Sequence, residues 1–300
     1  MAFLMSIRPI NLVIIGCTQI LIYFLFFHSV DISAYGMNWV LSPPKIYIFT
    51  LVTICISASG YLINDYVDFH SDISNEKKNR LQSQFANLKY YLLIVLIGFV
   101  ISVWFALDIG KPLLSLIYLL AIGGLFIYST HLKKTVLLGN IVVSIFSGGV
   151  LWILLYAENA LMDKLPLDLE EHIRGTVWLF CIFAFLVSMI REIVKDVEDI
   201  KGDKANGYKT LPIRYGIGWS KVISIFIVIT LIASLGYLTY ASMQEQQFLI
   251  GFYLIIALLL PLGWIGYSIW LPTFSERSRL ISQYCKAVML FGIILLILAH

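Results

Sequence analysis

Asn64-Asp65-Tyr66-Val67-Asp68-Phe69-His70-Ser71-Asp72 carries carboxylates at Asp65, Asp68 and Asp72 directly after a long apolar run. A second stretch, Lys195-Asp196-Val197-Glu198-Asp199-Ile200-Lys201-Gly202-Asp203, repeats that spacing at Asp196, Asp199 and Asp203, again after an apolar run. Steps of three and four residues put side chains on one helix face, so each stretch predicts a row of three acids along a helix end. Like charges about 6 Å apart repel by roughly 3 kcal/mol at an effective dielectric of about 20, and such rows need a cation. Mg²⁺ prefers hard oxygen ligands and is typically held by one or two carboxylates plus substrate phosphates. Two rows at one spacing therefore point to a diphosphate site built through metal, with Lys and Arg on the remaining phosphate oxygens.

Outward from these rows the chain is lipid-like. Of 300 residues, 60% are hydrophobic and 13% charged, and the mean hydropathy of +0.88 excludes an ordinary water-soluble globule. A bilayer core about 30 Å thick takes roughly 20 apolar helical residues. That ruler predicts nine spans, at about 10–28, 45–66, 90–108, 112–130, 136–157, 175–194, 217–240, 247–270 and 283–299. The runs are too long and too uniformly apolar for barrel strands, so an all-α polytopic bundle is expected. The first span lacks a convincing cleavage site and is expected to stay as an anchor.

With nine spans, Lys45, Lys111, Lys164 and Arg174 fall on one side, and the other 17 of the 21 Lys and Arg fall on the side of the N-terminus. The positive-inside rule then predicts a cytoplasmic N-terminus, an external C-terminus and both acid rows at the cytoplasmic mouth. The external connection at about 158–174, with Glu158, Asp163, Asp168, Glu170 and Glu171 among leucines, is expected to lie along the interface as a short amphipathic helix. Each acid row follows an outside-to-inside span with three spans between. This predicts one domain over 1–300 with a pseudo-repeat, spans 1–4 and 5–8.

The net charge of +3 is too small to indicate nucleic-acid binding, and no Gly-rich turn follows a strand as a dinucleotide fold requires. Nothing points to an obligate protein partner. Cys17, Cys55, Cys181 and Cys285 lack metal or disulfide spacing and read as packing residues. Helical spacing would put His70 roughly opposite the acids, and it reads as a bystander rather than a base.

These residues resemble the UbiA superfamily of intramembrane prenyltransferases, whose signatures are an Asn-Asp-x-x-Asp-x-x-x-Asp run and a second Asp-x-x-Asp-x-x-x-Asp run. Arg8-Pro9-Ile10-Asn11, Tyr128-Ser129, Leu132-Lys133, Gly139-Asn140, Gly207 and Thr210-Leu211-Pro212 extend the similarity over most of the chain. The resemblance implies a nine-helix bundle with a central apolar cavity opening to the cytoplasmic side, in a cell (inner) membrane, and transfer of a prenyl group from a polyprenyl diphosphate to a lipidic acceptor. It also implies Mg²⁺ held by Asp65, Asp68, Asp72, Asp196, Asp199 and Asp203, with Asn64 orienting a metal ligand or a phosphate. Lys133, Arg191 and Lys195 are then the cations around the diphosphate. Tyr128, Arg8 and Asn11 are assigned to substrate, Arg8 to the phosphate of the acceptor and Asn11 to its head group. Asn64, Asp68, Lys195 and Asp199 form the catalytic set.

The chain departs from the family after Asp72, where Asn75-Glu76-Lys77-Lys78-Asn79-Arg80 lacks the usual prolines and the usual arginine spacing. Arg191-Glu192-Ile193-Val194-Lys195-Asp196-Val197-Glu198-Asp199 with Gly202-Asp203 is most similar to the branch that adds geranylgeranyl to geranylgeranylglyceryl phosphate in ether-lipid synthesis. Prenylation of an aromatic quinone precursor and a UbiA-type terpene cyclase are the alternatives. A transporter or divalent-ion channel would carry acids at the midplane, whereas these cluster at span ends.

Overall fold

The computed structural model describes residues 2–69 and 83–298. Among these there is no strand, and nine helices are long and apolar enough to cross a membrane. They are α1 (Pro9–His28), α2 (Pro43–Val67), α3 (Gln84–Asp108), α4 (Leu113–Lys134), α5 (Leu138–Met162), α6 (Leu167–Glu198), α7 (Ile217–Gln244), α8 (Phe248–Trp270) and α9 (Phe274–Leu298). The protein is thus an all-α, multi-pass membrane protein. Helices meet the requirement that backbone groups in hydrocarbon find partners within their own segment.

Local chemistry sets the helix ends. Prolines open α1 and α2, where a missing N–H and a fixed φ are tolerated. Ser83 caps α3, its hydroxyl accepting from the Ala86 N–H at 3.3 Å. In α8 the turn Leu254–Leu259 widens to π-helical geometry just before Pro261, which has no N–H to donate back into the helix. Lys221 closes the other end of α8, donating to the Trp270 and Leu271 carbonyls at 3.1 and 2.6 Å.

The chain divides into two compact units, Met1–Leu132 with Gly149–Leu179, and Lys133–Gly148 with Phe180–His300. In the first unit α2 packs against α1, α3 and α4. Leu62, Ile63 and Tyr91 form a buried cluster with Phe3, Ile7 and Tyr66 against it, which pins the acid-bearing end of α2 to α3. In the second unit α7, α8 and α9 pack in sequence. There α5 approaches α6 so closely that a Cβ on Gly148 would lie 2.7 Å from the Cys181 carbonyl oxygen. Small residues allow such contacts where lipid supplies no hydrophobic force between helices. The cysteines are all free.

The expected interfacial helix at 158–174 is corrected by the structure. Those residues extend the spans, α5 running through Met162 and α6 starting at Leu167, with only residues 163–166 between. Four of their charged groups are satisfied in place. The Glu158 carboxylate, 1% exposed, accepts the N–H groups of Val40 and Leu41 at 2.9 and 2.7 Å. Arg174 pairs with Asp163 and donates to Glu170 and Asn159 at 2.7 and 2.9 Å.

Candidate active site

In the first unit the acid row begins in the last turn of α2. Asp65 is buried, 8% exposed, and Asn87 of α3 donates to its backbone carbonyl at 3.4 Å. Asn64 Nδ2 donates to Asp68 Oδ2 at 2.9 Å, so the carboxamide fixes the orientation of the second acid. Asp68 ends the helix at φ −83 and ψ −1, a bridge conformation common where backbone leaves a helix. Asp72, His70 and the loop from Asn75 to Arg80 lie outside the described residues.

Two residues from the N-terminal segment join this row. Arg8 Nη2 lies 3.7 Å from Asp65 Oδ1, and its guanidinium sits 4.8 Å above the Tyr61 ring. Asn11 Nδ2 donates to Tyr61 Oη at 3.2 Å. The backbone turns at Arg8 with φ 52 and ψ 65, a left-handed conformation uncommon for a residue with a side chain. Tyr61 is the contact that sequence reading missed. Its signal is position, one helical turn before Asp65.

In the second unit Val187, Ile190, Val194 and Val197 are buried, at steps of three and four that form the packed stripe of α6. Arg191, Lys195 and Asp199, at steps of four, keep a less buried face. Asn140, buried near the start of α5, donates from Nδ2 to Asp196 Oδ2 at 2.8 Å. Glu192, Lys195 and Asp203 lie within electrostatic reach of Asp196. Glu192 is 7% exposed and pairs with Arg191. It extends the row one turn toward the membrane, a fourth acid four residues before Asp196.

The second row does not ride one unbroken helix, as its spacing alone predicts. Helix α6 ends at Glu198, Asp199 takes φ −93 and ψ 5, and a short helix resumes over Ile200–Ala205. The hydrogen bonds Asp199 N–H to Lys195 O and Asp203 N–H to Asp199 O, both 2.9 Å, carry the chain through the break. Asp68 and Asp199 thus hold nearly the same backbone conformation at the ends of α2 and α6.

Lys133 is half-buried just past Tyr128 at the end of α4. The segment after it is tied to the one that follows the second row. The Lys209 N–H donates to the Lys134 carbonyl at 2.9 Å, and the Lys134 ammonium sits 5.4 Å over the Tyr208 ring. Within the first unit the structure brings together Arg8, Asn11, Asn64, Asp65 and Asp68. Within the second it brings together Arg191, Lys195, Asp196, Asp199 and Asp203. Among the described residues no group of three His, Cys, Asp or Glu side chains is set to hold a metal ion.

The family model for the UbiA prenyltransferase family matches residues 21–296. The digeranylgeranylglyceryl phosphate synthase of Methanopyrus kandleri is 31% identical over 239 residues, 79% of this chain and 79% of its own. A solved structure of a digeranylgeranylglyceryl phosphate synthase shares the fold, with a TM-score of 0.58 at 22% identity over 99% of this chain and 98% of that one. So does a UbiA homologue from Archaeoglobus fulgidus solved with DMAPP and Mg²⁺, with a TM-score of 0.56 at 16% identity over 96% of this chain and 99% of that one. A match of this extent takes in both acid rows, the spans from α2 to α8 and nearly all of α9, and the chain accordingly belongs to the UbiA prenyltransferase family, as an enzyme that transfers prenyl groups.

Proposed function

We propose that this enzyme transfers a geranylgeranyl group from geranylgeranyl diphosphate to the glycerol hydroxyl of geranylgeranylglyceryl phosphate, releasing diphosphate, in ether-lipid synthesis. The observation that carries the reading is the like construction of the two acid rows. Each has its second acid, Asp68 or Asp199, in a bridge conformation at a helix end, and in each a carboxamide donates to one carboxylate. Two such ends suit one diphosphate better than two unrelated tasks. The name of the Methanopyrus kandleri relative supports the glyceryl phosphate acceptor, and the ligands of the Archaeoglobus fulgidus homologue support an allylic diphosphate with Mg²⁺.

The donor set fits a hard divalent cation. Asp65, Asp68, Asp196, Asp199 and Asp203 offer only carboxylate oxygen, and Asp72 completes the first row in sequence. These residues would hold Mg²⁺, which when bound supplies positive charge to the leaving diphosphate. Asn64 and Asn140 keep Asp68 and Asp196 in fixed orientations. Lys133, Arg191 and Lys195 neutralise phosphate oxygens as the allylic C–O bond breaks and charge collects on the diphosphate. The chain end of that bond becomes a delocalised cation, which the glycerol hydroxyl oxygen captures in a new C–O bond as its proton passes to the departing diphosphate. Such a cation needs a site from which water is excluded and aromatic faces that stabilise positive charge. Tyr128 contacts substrate, Arg8 binds the phosphate of the acceptor and Asn11 its head group.

In this reading residues 1–300 act as one catalytic domain, spans 1–4 and 5–8 being the repeats that each contribute one row. The protein sits in the cell (inner) membrane with its N-terminus and both rows cytoplasmic and its C-terminus external, in keeping with the distribution of Lys and Arg. The test is incubation of the purified protein with Mg²⁺, geranylgeranyl diphosphate and either geranylgeranylglyceryl phosphate or a hydroxybenzoate-type ring, with products identified by mass. The expected product is the digeranylgeranyl glycerol lipid. Conversion of the ring alone removes the glycerol acceptor, and a cyclised hydrocarbon formed without acceptor removes group transfer.

A further inference from the structure

We infer that Tyr61 is a positioning residue that holds Arg8 and Asn11 ready for the phosphate head of the acceptor, an inference that rests on the acceptor assignment above. Three contacts converge on it within the first unit. The Arg8 guanidinium lies 4.8 Å from the centre of its ring, Asn11 Nδ2 lies 3.2 Å from its hydroxyl, and Asp65, one turn further along α2, lies 3.7 Å from Arg8.

A guanidinium lying against an aromatic face spends none of its N–H donors on that contact. Its five N–H groups lie in the guanidinium plane, where they match the oxygens of a phosphate in a bidentate fork. An arginine serving only as a membrane-side anchor would extend to lipid head groups. Arg8 instead turns inward. Its side chain is 27% exposed, and the chain accepts a left-handed residue at that position, φ 52. The Tyr61 hydroxyl simultaneously takes one donor of the Asn11 amide, which fixes the carboxamide plane beside the guanidinium. Tyr61 thereby converts two N-terminal side chains, each adaptable alone, into a fixed pair of anion and hydroxyl contacts. It touches neither the reacting carbon nor the diphosphate in this scheme, so its effect belongs in acceptor affinity.

The experiment is steady-state kinetics of the wild type, Tyr61→Phe and Tyr61→Leu with Mg²⁺, geranylgeranyl diphosphate and geranylgeranylglyceryl phosphate, each substrate varied in turn. Tyr61→Leu removes ring and hydroxyl and is expected to raise the acceptor KM about tenfold, the size of one lost cation–π contact. The diphosphate KM and kcat should stay within about twofold of wild type. Tyr61→Phe keeps the ring and should recover most of that loss. An unchanged acceptor KM in both variants, or an equal rise in the diphosphate KM, overturns the inference while wild-type turnover upholds the acceptor. If Tyr61→Leu does not fold, an acceptor KM for Tyr61→Phe that rises by about two- to threefold, with the diphosphate KM unmoved, supports the role, and an unchanged acceptor KM or a fall in kcat alone refutes it. Wild-type enzyme that ignores glyceryl phosphate and prenylates the ring instead overturns the acceptor assignment and this inference together.

Discussion

Asn140 on α5 hydrogen-bonds Asp196 on α6 across 56 residues of sequence, Nδ2 to Oδ2 at 2.8 Å. In the first unit Asn64 serves Asp68 in the same way from only one turn away, at 2.9 Å. One carboxamide is local and the other comes from a different helix, yet each fixes one acid of its row.

Removing the distant carboxamide should cost activity more than stability. A hydrogen bond to a charged group contributes about 1.5–3 kcal/mol, so Asn140→Ala is expected to lower kcat/KM for the prenyl diphosphate by about 10- to 100-fold. The loss should shrink as Mg²⁺ is raised, because a loosely held carboxylate still binds the ion at higher concentration. Kinetics at several Mg²⁺ concentrations check this. A loss independent of Mg²⁺ would place Asn140 in packing instead.

The second acid of each row should be indispensable. Asp68→Ala and Asp199→Ala are each expected to reduce turnover by about a thousandfold or more, while the unfolding midpoint in detergent shifts by less than about 4 °C. Both residues are half-buried at helix ends rather than in a core. Near-normal rates in either variant would make that carboxylate a solvated charge.

Much of this architecture is legible in the residues themselves. The nine runs stand out because a span tolerates few charges, and the acid rows stand out because each closes such a run. Glu158 was not legible. An acid beside Asp163 and Glu170 looks like part of a polar connection, and only folding reveals the Val40 and Leu41 N–H groups that let it stay in a helix. Asp199 was half legible: its spacing is helical, but the break in α6 depends on its backbone angles. Tyr61 and Asn140 act through contacts between helices, which one-dimensional spacing does not encode.

Glu158 yields a stability prediction. Glu158→Ala leaves two N–H groups without their acceptor, one of them on fully buried Leu41, at about 1–3 kcal/mol each. The expected result is a lowered unfolding midpoint and faster proteolysis within residues 30–42, with the KM values for both substrates unchanged at low temperature. A changed acceptor KM would tie this end of the first unit to substrate binding.

Gly148 tests the helix contact in the second unit. A methyl group there meets the Cys181 carbonyl oxygen at 2.7 Å, and backbone yields less readily than a side chain. Gly148→Ala is expected to destabilise by about 1–3 kcal/mol, read as a lower unfolding midpoint. Gly123→Ala is the control, since a Cβ there meets nothing within 4 Å, and its midpoint should not fall.

The most direct test of the central claim is the Mg²⁺-dependent affinity for geranylgeranyl diphosphate in the wild type, Asp68→Ala, Asp199→Ala and the double variant, analysed as a thermodynamic cycle. If both rows grip one diphosphate, each single variant loses affinity and the double variant loses far less than the sum, with an interaction of about 1 kcal/mol or more. Strict additivity, or loss confined to one row, would mean that the two rows do not share a substrate.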